Sequence, residues 1–142
     1  MQASHDLLQL CACTRLRTAA RLVTRAYDDA LRPSGVKASQ LSVLAAVDAV
    51  ELASIGALSN VLAMDRTTLS RNLGPLVTQG LITLSEDAGG RAKTARITNA
   101  GQAKLKEALP LWRKAQARLT RQAGASEVDD LNLRLAHLIR SY

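Results

Sequence analysis

With 142 residues the chain has room for one domain rather than two. Hydrophobic residues make up 47% but aromatics only 2%, with no Phe, so the interior must be Leu, Val and Ala, a composition that favours packed helices over an aromatic-rich β sandwich. The formal net charge of +7 suits an anionic partner, nucleic acid before membrane, and the longest unbroken apolar run, Val43 to Val47, falls far short of the roughly 20 residues that span a bilayer. No basic segment followed by an apolar run opens the chain, so no secretory signal is expected. Two cysteines, Cys11 and Cys13, are too few and too close for a disulfide framework, and the expected compartment is a reducing cytoplasm.

From Asp6 to Leu31 small and apolar residues recur at helical spacing, with Arg17, Arg21 and Arg25 on another face, which predicts one long helix. Pro33-Ser34-Gly35 ends it. A second helix fits Ser39 to Val50 with Leu41, Leu44 and Val47 or Ala46 inward; a short third runs from a Ser54 cap to about Val61, and a fourth from an Asp65 cap to about Gln79. Beyond Gly80, Leu81 to Leu84 and Thr94 to Thr98 read as two strands of a hairpin joined across Gly89-Gly90. Thr98 caps a helix to about Gln122, whose line Leu105, Leu109, Trp112, Ala115 and Leu119 is expected to face a partner and which Pro110 is expected to kink. Gly124 closes it, and Ser126 starts a last helix with Val128, Leu131, Leu135 and Leu138 as its apolar stripe. There is no internal repeat.

Short helix, tight turn, second helix, then hairpin is the order of a winged helix-turn-helix, whose second helix enters the DNA major groove. Arg66, Thr67, Thr68, Ser70, Arg71 and Asn72 crowd the first two turns of the fourth helix with groups able to reach base edges and phosphates, while Leu69, Leu73, Leu76 and Val77 form its buried side. Merely exposed polar residues are the plainer reading of that crowd. Arg91 and Lys93 sit beside two glycines at the hairpin tip, as minor-groove reading requires, although a solvated loop has the same composition.

These residues resemble the MarR family of bacterial winged-helix regulators, over nearly the whole chain from about Leu8 to Leu138. The resemblance is carried by Gln40-Leu41-Ser42-Val43-Leu44, by Leu62 to Arg71 followed by Leu76 and Gly80-Leu81-Ile82, by Arg91-Ala92-Lys93, and by Arg96-Ile97-Thr98-Asn99-Ala100-Gly101. It implies a mainly α fold with a small β hairpin: one domain over 1–142, a DNA-binding lobe over 37–98, and dimerisation helices over 5–32 and 99–142. It further implies a homodimer on pseudo-palindromic double-stranded DNA, acting as a repressor relieved by a small ligand or by oxidation. Arg91 becomes the wing arginine and Arg66 to Asn72 the DNA-facing surface. Three places depart from the pattern: Gly89 replaces the usual wing aspartate, Gly74-Pro75 interrupts the recognition helix, and Lys37 stands where Thr or Ser often caps the second helix, at a local cost of about 1 kcal/mol.

Cys11 and Cys13 fall where peroxide-sensing members of that family carry a reactive cysteine, with Tyr27 matching one of its tyrosine partners and Arg17 in the place of another. On their own chemistry the thiols have three readings: redox sensors, inert packing, or metal ligands together with His5, whose spacing fits no strong zinc pattern. The other route for a signal is an apolar ligand in a crevice lined by Leu16, Val23, Tyr27, Leu44 and Trp112, residues that plain core packing would equally use. No cofactor and no metal are expected. An enzyme is disfavoured, with two histidines, no phosphate-binding glycine loop and no nucleophile elbow. The alternative from another class is a winged-helix protein-interaction module without DNA binding, which salt-dependent retention on duplex DNA distinguishes.

Overall fold

A computed structural model describes residues 2–50, 53–86 and 93–142. In chain order its elements are α1 (Gln2–Leu10), α2 (Ala12–Leu31), a single 3-10 turn (Arg32–Ser34), α3 (Ala38–Ala49), β1 (Ala53–Ser54), α4 (Ile55–Leu62), α5 (Arg66–Thr78), β2 (Ile82–Glu86), β3 (Lys93–Ile97), α6 (Asn99–Ala123) and α7 (Ala125–Arg140). The antiparallel sheet has three strands in the order β1-β3-β2, with Ala53 opposite Ala95 and Ile82 opposite Ile97. The predicted hairpin is therefore one strand short: β1 is two residues long and offers no alternation to read.

The long first helix is corrected. It is broken at Cys11, whose backbone is extended at φ −72° and ψ 112°. Neither Gly nor Pro marks the break, so periodicity runs straight through it. Arg15 compensates part of the loss, its Nε donating to the carbonyl of Gln9 in the last turn of α1 and its guanidinium to the Gln9 side chain.

The two helix-breaking prolines divide nothing. α5 continues past Gly74-Pro75 to Thr78, and α6 continues past Pro110 to Ala123. An internal proline costs about 3 kcal/mol or more. α5 buries Leu69, Leu73 and Leu76, each contributing about 1.5–3 kcal/mol, and the sum exceeds the cost.

Lys37 does precede α3 without a side-chain cap, and the orphan N–H groups find partners elsewhere. Gln40 Oε1 accepts from the Lys37 N–H at 2.9 Å, and Asp28 Oδ1, reaching across from α2, accepts from the Ala38 N–H at 2.7 Å. A cap supplied from another element is invisible to local sequence rules.

Leu31, Val43, Leu44, Leu58, Leu69 and Leu76 are the larger side chains of one core that extends to Ala108. Of the apolar line on α6 expected to face a partner, Leu105 and Ala115 are buried within the chain, where α6 lies along α2 and α3, Leu109 and Leu119 are half-buried, and Trp112 is exposed. Apolar side chains are also exposed at the two ends, at Leu7, Leu8 and Leu10 of α1 and at Leu131, Leu133 and Ile139 of α7. At the sheet-to-α6 passage, a Cβ on Gly101 would lie 2.1 Å from the Leu81 carbonyl oxygen, so only glycine fits. Among the described residues no helix is long and apolar enough to cross a membrane.

Candidate nucleic-acid interface and signal sites

The helix-turn-helix is built by two caps and one strained residue. Ser54 Oγ accepts from the Ala57 N–H at 3.1 Å and starts α4. Ala63 then takes a left-handed conformation at φ +48°, with its N–H bonded to the Asn60 carbonyl and the Met64 N–H to that of Ser59. For a side chain larger than glycine this conformation costs about 1–2 kcal/mol, and the reward is a turn short enough to set α5 against α4. Asp65 caps α5 twice over, accepting from the Thr68 N–H at 2.8 Å and from the Thr68 hydroxyl at 2.7 Å. Those two bonds hold its carboxyl below the usual aspartate value.

The fourth-helix polar crowd separates into two sets. Leu69, Leu73 and Leu76 point inward; at 100° per residue Thr67, Ser70 and Arg71 lie on the opposite side, exposed and without a hydrogen bond among the described residues. Arg66 is exposed at the first turn. Thr68 and Asn72 flank this face and are partly occupied: the Thr68 hydroxyl serves the Asp65 cap, and Asn72 Nδ2 donates to the Thr68 carbonyl at 2.9 Å. One residue of the face escaped the sequence reading. Gly74 lies on the Thr67–Arg71 side with nothing within 4 Å of where a Cβ would be, so α5 offers bare backbone there. Its helix position carried the signal, but a glycine beside a proline reads first as a breaker.

Lys93 opens β3, exposed, 4.0 Å from Glu86 Oε1, a contact too long and too wet to hold the ammonium in place. Arg91 and Gly89 lie outside the described residues. Arg96, on the same strand, is exposed and was not singled out from sequence.

Cys11 and Cys13 are both free thiols, the first half-buried at the α1–α2 joint and the second exposed in the opening turn of α2. The backbone N–H and then the hydroxyl of Thr14, followed by the N–H of Cys13, draw the Cys11 thiol below its ordinary value, against a smaller opposing effect of burial. A thiol at a helix N-terminus is more easily ionised, and the thiolate is the reactive form. Among the described residues no group of three metal-ligating side chains forms.

The predicted crevice is taken apart. Tyr27 and Trp112 do line one apolar cleft of about 360 Å³, together with Leu31, Leu41, Leu105 and Leu109, between α2, α3 and α6. Val23 lines a second cleft, between α2 and α6. Leu44 is fully buried in the core and lines neither; Leu16 lines neither and is exposed. Tyr27 borders both clefts, its hydroxyl donating to Gln116 Oε1 of α6, and burial pushes its pKa up.

The profile of the MarR family matches residues 34–92, the stretch from the end of the 3-10 turn to the wing. The Mycobacterium tuberculosis transcriptional regulator MosR, in its complex with DNA, is 37% identical to this chain, covering 92% of it and 95% of MosR, with a TM-score of 0.83. The chain belongs to the MarR family. Other members share the fold at lower identity: the repressor CouR of Rhodococcus jostii RHA1 on a 23-mer DNA duplex (24% identity, 94% of each chain, TM-score 0.82) and a cysteine-to-serine mutant of Escherichia coli MarR on operator DNA (23%, covering 93% and 96%, TM-score 0.81). No curated protein sequence matches the chain. In the MarR frame, α4 and α5 are the helix-turn-helix and β2 and β3 the wing.

Proposed function

We propose that this MarR-family regulator binds duplex DNA as a homodimer, with α5 in the major groove and the wing along the adjacent minor groove. The outward face of α5 carries the proposal: Thr67, Ser70 and Arg71 stand exposed, without a hydrogen bond among the described residues, beside the bare backbone at Gly74, on a helix fixed from behind by three buried leucines. Arg66 and Lys93 add positive charge at its edges, and Arg91 is assigned to the wing on the family pattern alone. Thr68 and Asn72 contribute through what their local bonds leave free. The DNA complex of MosR, at 37% identity over nearly the whole chain, supports the same reading. Exposed leucines at both ends of the chain support dimerisation through α1, α2, α6 and α7. Titration of the protein's own upstream DNA, with a scrambled duplex as competitor, tests the reading; equal affinity for both sequences would reject operator recognition.

The regulator is read as a repressor released when Cys11 and Cys13 are oxidised. The Cys11 thiolate attacks a hydroperoxide oxygen, giving a sulfenic acid and an alcohol; the Cys13 thiol then attacks that sulfur and water leaves. Two thiols are oxidised to one disulfide while one peroxide is reduced. Within a regular helix residues i and i+2 point about 200° apart, but Cys11 is already extended, so only the first turn of α2 has to unwind. Operator titrations before and after hydroperoxide, with wild type, Cys11→Ser, Cys13→Ser and the double variant, test this. Equal loss in wild type and double variant would move the signal to a ligand in the cleft at Tyr27 and Trp112.

A further inference from the structure

In a helix each interior carbonyl accepts from the N–H four residues on, and in α5 the Arg71 carbonyl is denied that partner, because the position is Pro75 and proline has no N–H. The ladder is intact at both ends: the Asp65 carbonyl accepts from the Leu69 N–H at 2.9 Å and the Pro75 carbonyl from the Gln79 N–H at 3.0 Å. The amide of the neighbouring Asn72 is spent on the Thr68 carbonyl. Arg71, Gly74 and Pro75 are all exposed. At 100° per residue they share about 100° of arc on the side away from Leu69, Leu73 and Leu76. A helical carbonyl points along the axis toward the C-terminal end, so this oxygen lies on the outward face between Arg71 and Pro75. Gly74 leaves its flank bare, with nothing within 4 Å of where a Cβ would be. The other internal proline, Pro110, frees the Lys106 carbonyl of α6 in the same way, but there the half-buried Leu109 stands where α5 has glycine.

We propose that the Arg71 main-chain carbonyl, freed by Pro75 and uncovered by Gly74, reads a base: it accepts a hydrogen bond from the exocyclic amino group of an adenine or a cytosine in the major groove. The proposal rests on the reading of α5 as the recognition helix. Adenine N6 and cytosine N4 are the two donors that the major groove offers, whereas guanine and thymine present oxygen at those places. The Arg71 guanidinium can only donate, and the hydroxyls of Thr67 and Ser70 do either, so the carbonyl adds the one preference the outward side chains lack. In the free protein water satisfies the exposed oxygen. On DNA a base amine replaces that water at little net gain, while a base oxygen in the same place leaves the carbonyl unpaired, so the contact works chiefly by rejecting the wrong base. The absent side chain at Gly74 is what lets the duplex come up to main chain.

Pro75→Ala returns an N–H to the Arg71 carbonyl, and should raise the melting temperature while removing the contact. The full-length protein is titrated with duplexes from its own upstream region in which each adenine in turn is replaced by purine, or each cytosine by 2-pyrimidinone, bases that lack only the amino group. Wild type is expected to lose about tenfold in affinity at one such position of a half-site. There Pro75→Ala is expected to be indifferent to the replacement, with the effects at the other positions and the salt slope kept. Gly74→Ala adds a methyl group in open space and is expected to show the same selective loss with an unchanged fold. Analogue effects that are identical in wild type and Pro75→Ala overturn the proposal. So does a folded Pro75→Ala that loses selectivity at every position, since the proline then sets the orientation of the helix and not one contact. A wild type that prefers its upstream DNA to a scrambled duplex yet has no amino-sensitive position rejects this proposal alone; one with no such preference rejects the reading of α5 as well.

Discussion

Removing the Asp28 carboxylate exposes how far α3 depends on a cap delivered from α2. The Asp28 Oδ1 to Ala38 N–H bond is 2.7 Å long, partly buried, and joins residues ten apart in sequence on two different elements. Asp28→Ala leaves the Ala38 N–H, one of the four orphan donors at the start of α3, with no partner of its own chain. A capping oxygen is worth about 1 kcal/mol and a hydrogen bond to a charged acceptor about 1.5–3 kcal/mol, so a loss of about 1.5–2 kcal/mol is expected. For a chain of this length each kcal/mol moves the melting temperature by about 3–4 °C, giving a fall of about 5–8 °C. Asp28→Asn keeps an acceptor oxygen in place and loses only the charge facing the positive end of the α3 dipole, about 0.3–1 kcal/mol. Urea denaturation at one fixed protein concentration separates the variants, the concentration being held because association also stabilises the fold. An Asp28→Ala loss below about 0.5 kcal/mol, or an Asp28→Asn loss as large as that of Asp28→Ala, would refute the cap.

Gly101→Ala sets a methyl group 2.1 Å from the Leu81 carbonyl oxygen, which itself accepts from the Thr98 N–H at 3.0 Å, so backbone must move. A loss of at least about 3 kcal/mol, or failure to accumulate folded protein, is expected in thermal melts, and a wild-type melting curve would contradict the packing at the sheet-to-α6 passage. Asp65→Ala is expected to lower stability at neutral pH by uncapping α5. Because the folded carboxyl titrates below its ordinary value, the charged cap stabilises above the usual aspartate range and is lost as pH falls through the folded value; the gap between wild type and variant should shrink on acidification, and a gap independent of pH would contradict the cap. Arg15→Ala removes the contacts to Gln9 and is expected to fray α1 from α2, seen as faster amide exchange over residues 2–10 with exchange over α5 unchanged.

Local chemistry made the helix-turn-helix legible: Ser54, Asp65 and Thr98 each cap the helix that their positions predict. The exposure of the polar face of α5 was legible too: Arg66, Thr67, Ser70 and Arg71 stand exposed and, among the described residues, without a hydrogen bond, whereas the engagement of Thr68 and Asn72 depends on side-chain direction, which spacing does not give. What escaped the sequence was tertiary. The break at Cys11 is held by Arg15 rather than marked by a breaker residue, the cap on α3 comes from Asp28 on another helix, and β1 is too short to carry a pattern. Pro75 and Pro110 lie inside α5 and α6, which run on to about the ends expected of them, because burial of neighbouring apolar residues outweighs the single lost bond. The crevice failed at Leu44 because a leucine lining a cleft and one sealed in a core share the same helical spacing.

The most direct test of DNA recognition by α5 is the salt dependence of Arg71→Ala. Binding of a fluorescent duplex from the protein's own upstream region is titrated from low to high salt for wild type and variant, with circular dichroism confirming equal folding. Arg71 stands exposed and without a hydrogen bond among the described residues, so the substitution should leave stability unchanged. The account predicts an affinity loss of about 1–3 kcal/mol per site if the guanidinium reads a base, or a log K against log salt slope reduced by about 1 if it holds a phosphate. Unchanged affinity and unchanged slope in a folded variant would contradict the assignment of α5 as the DNA-reading helix.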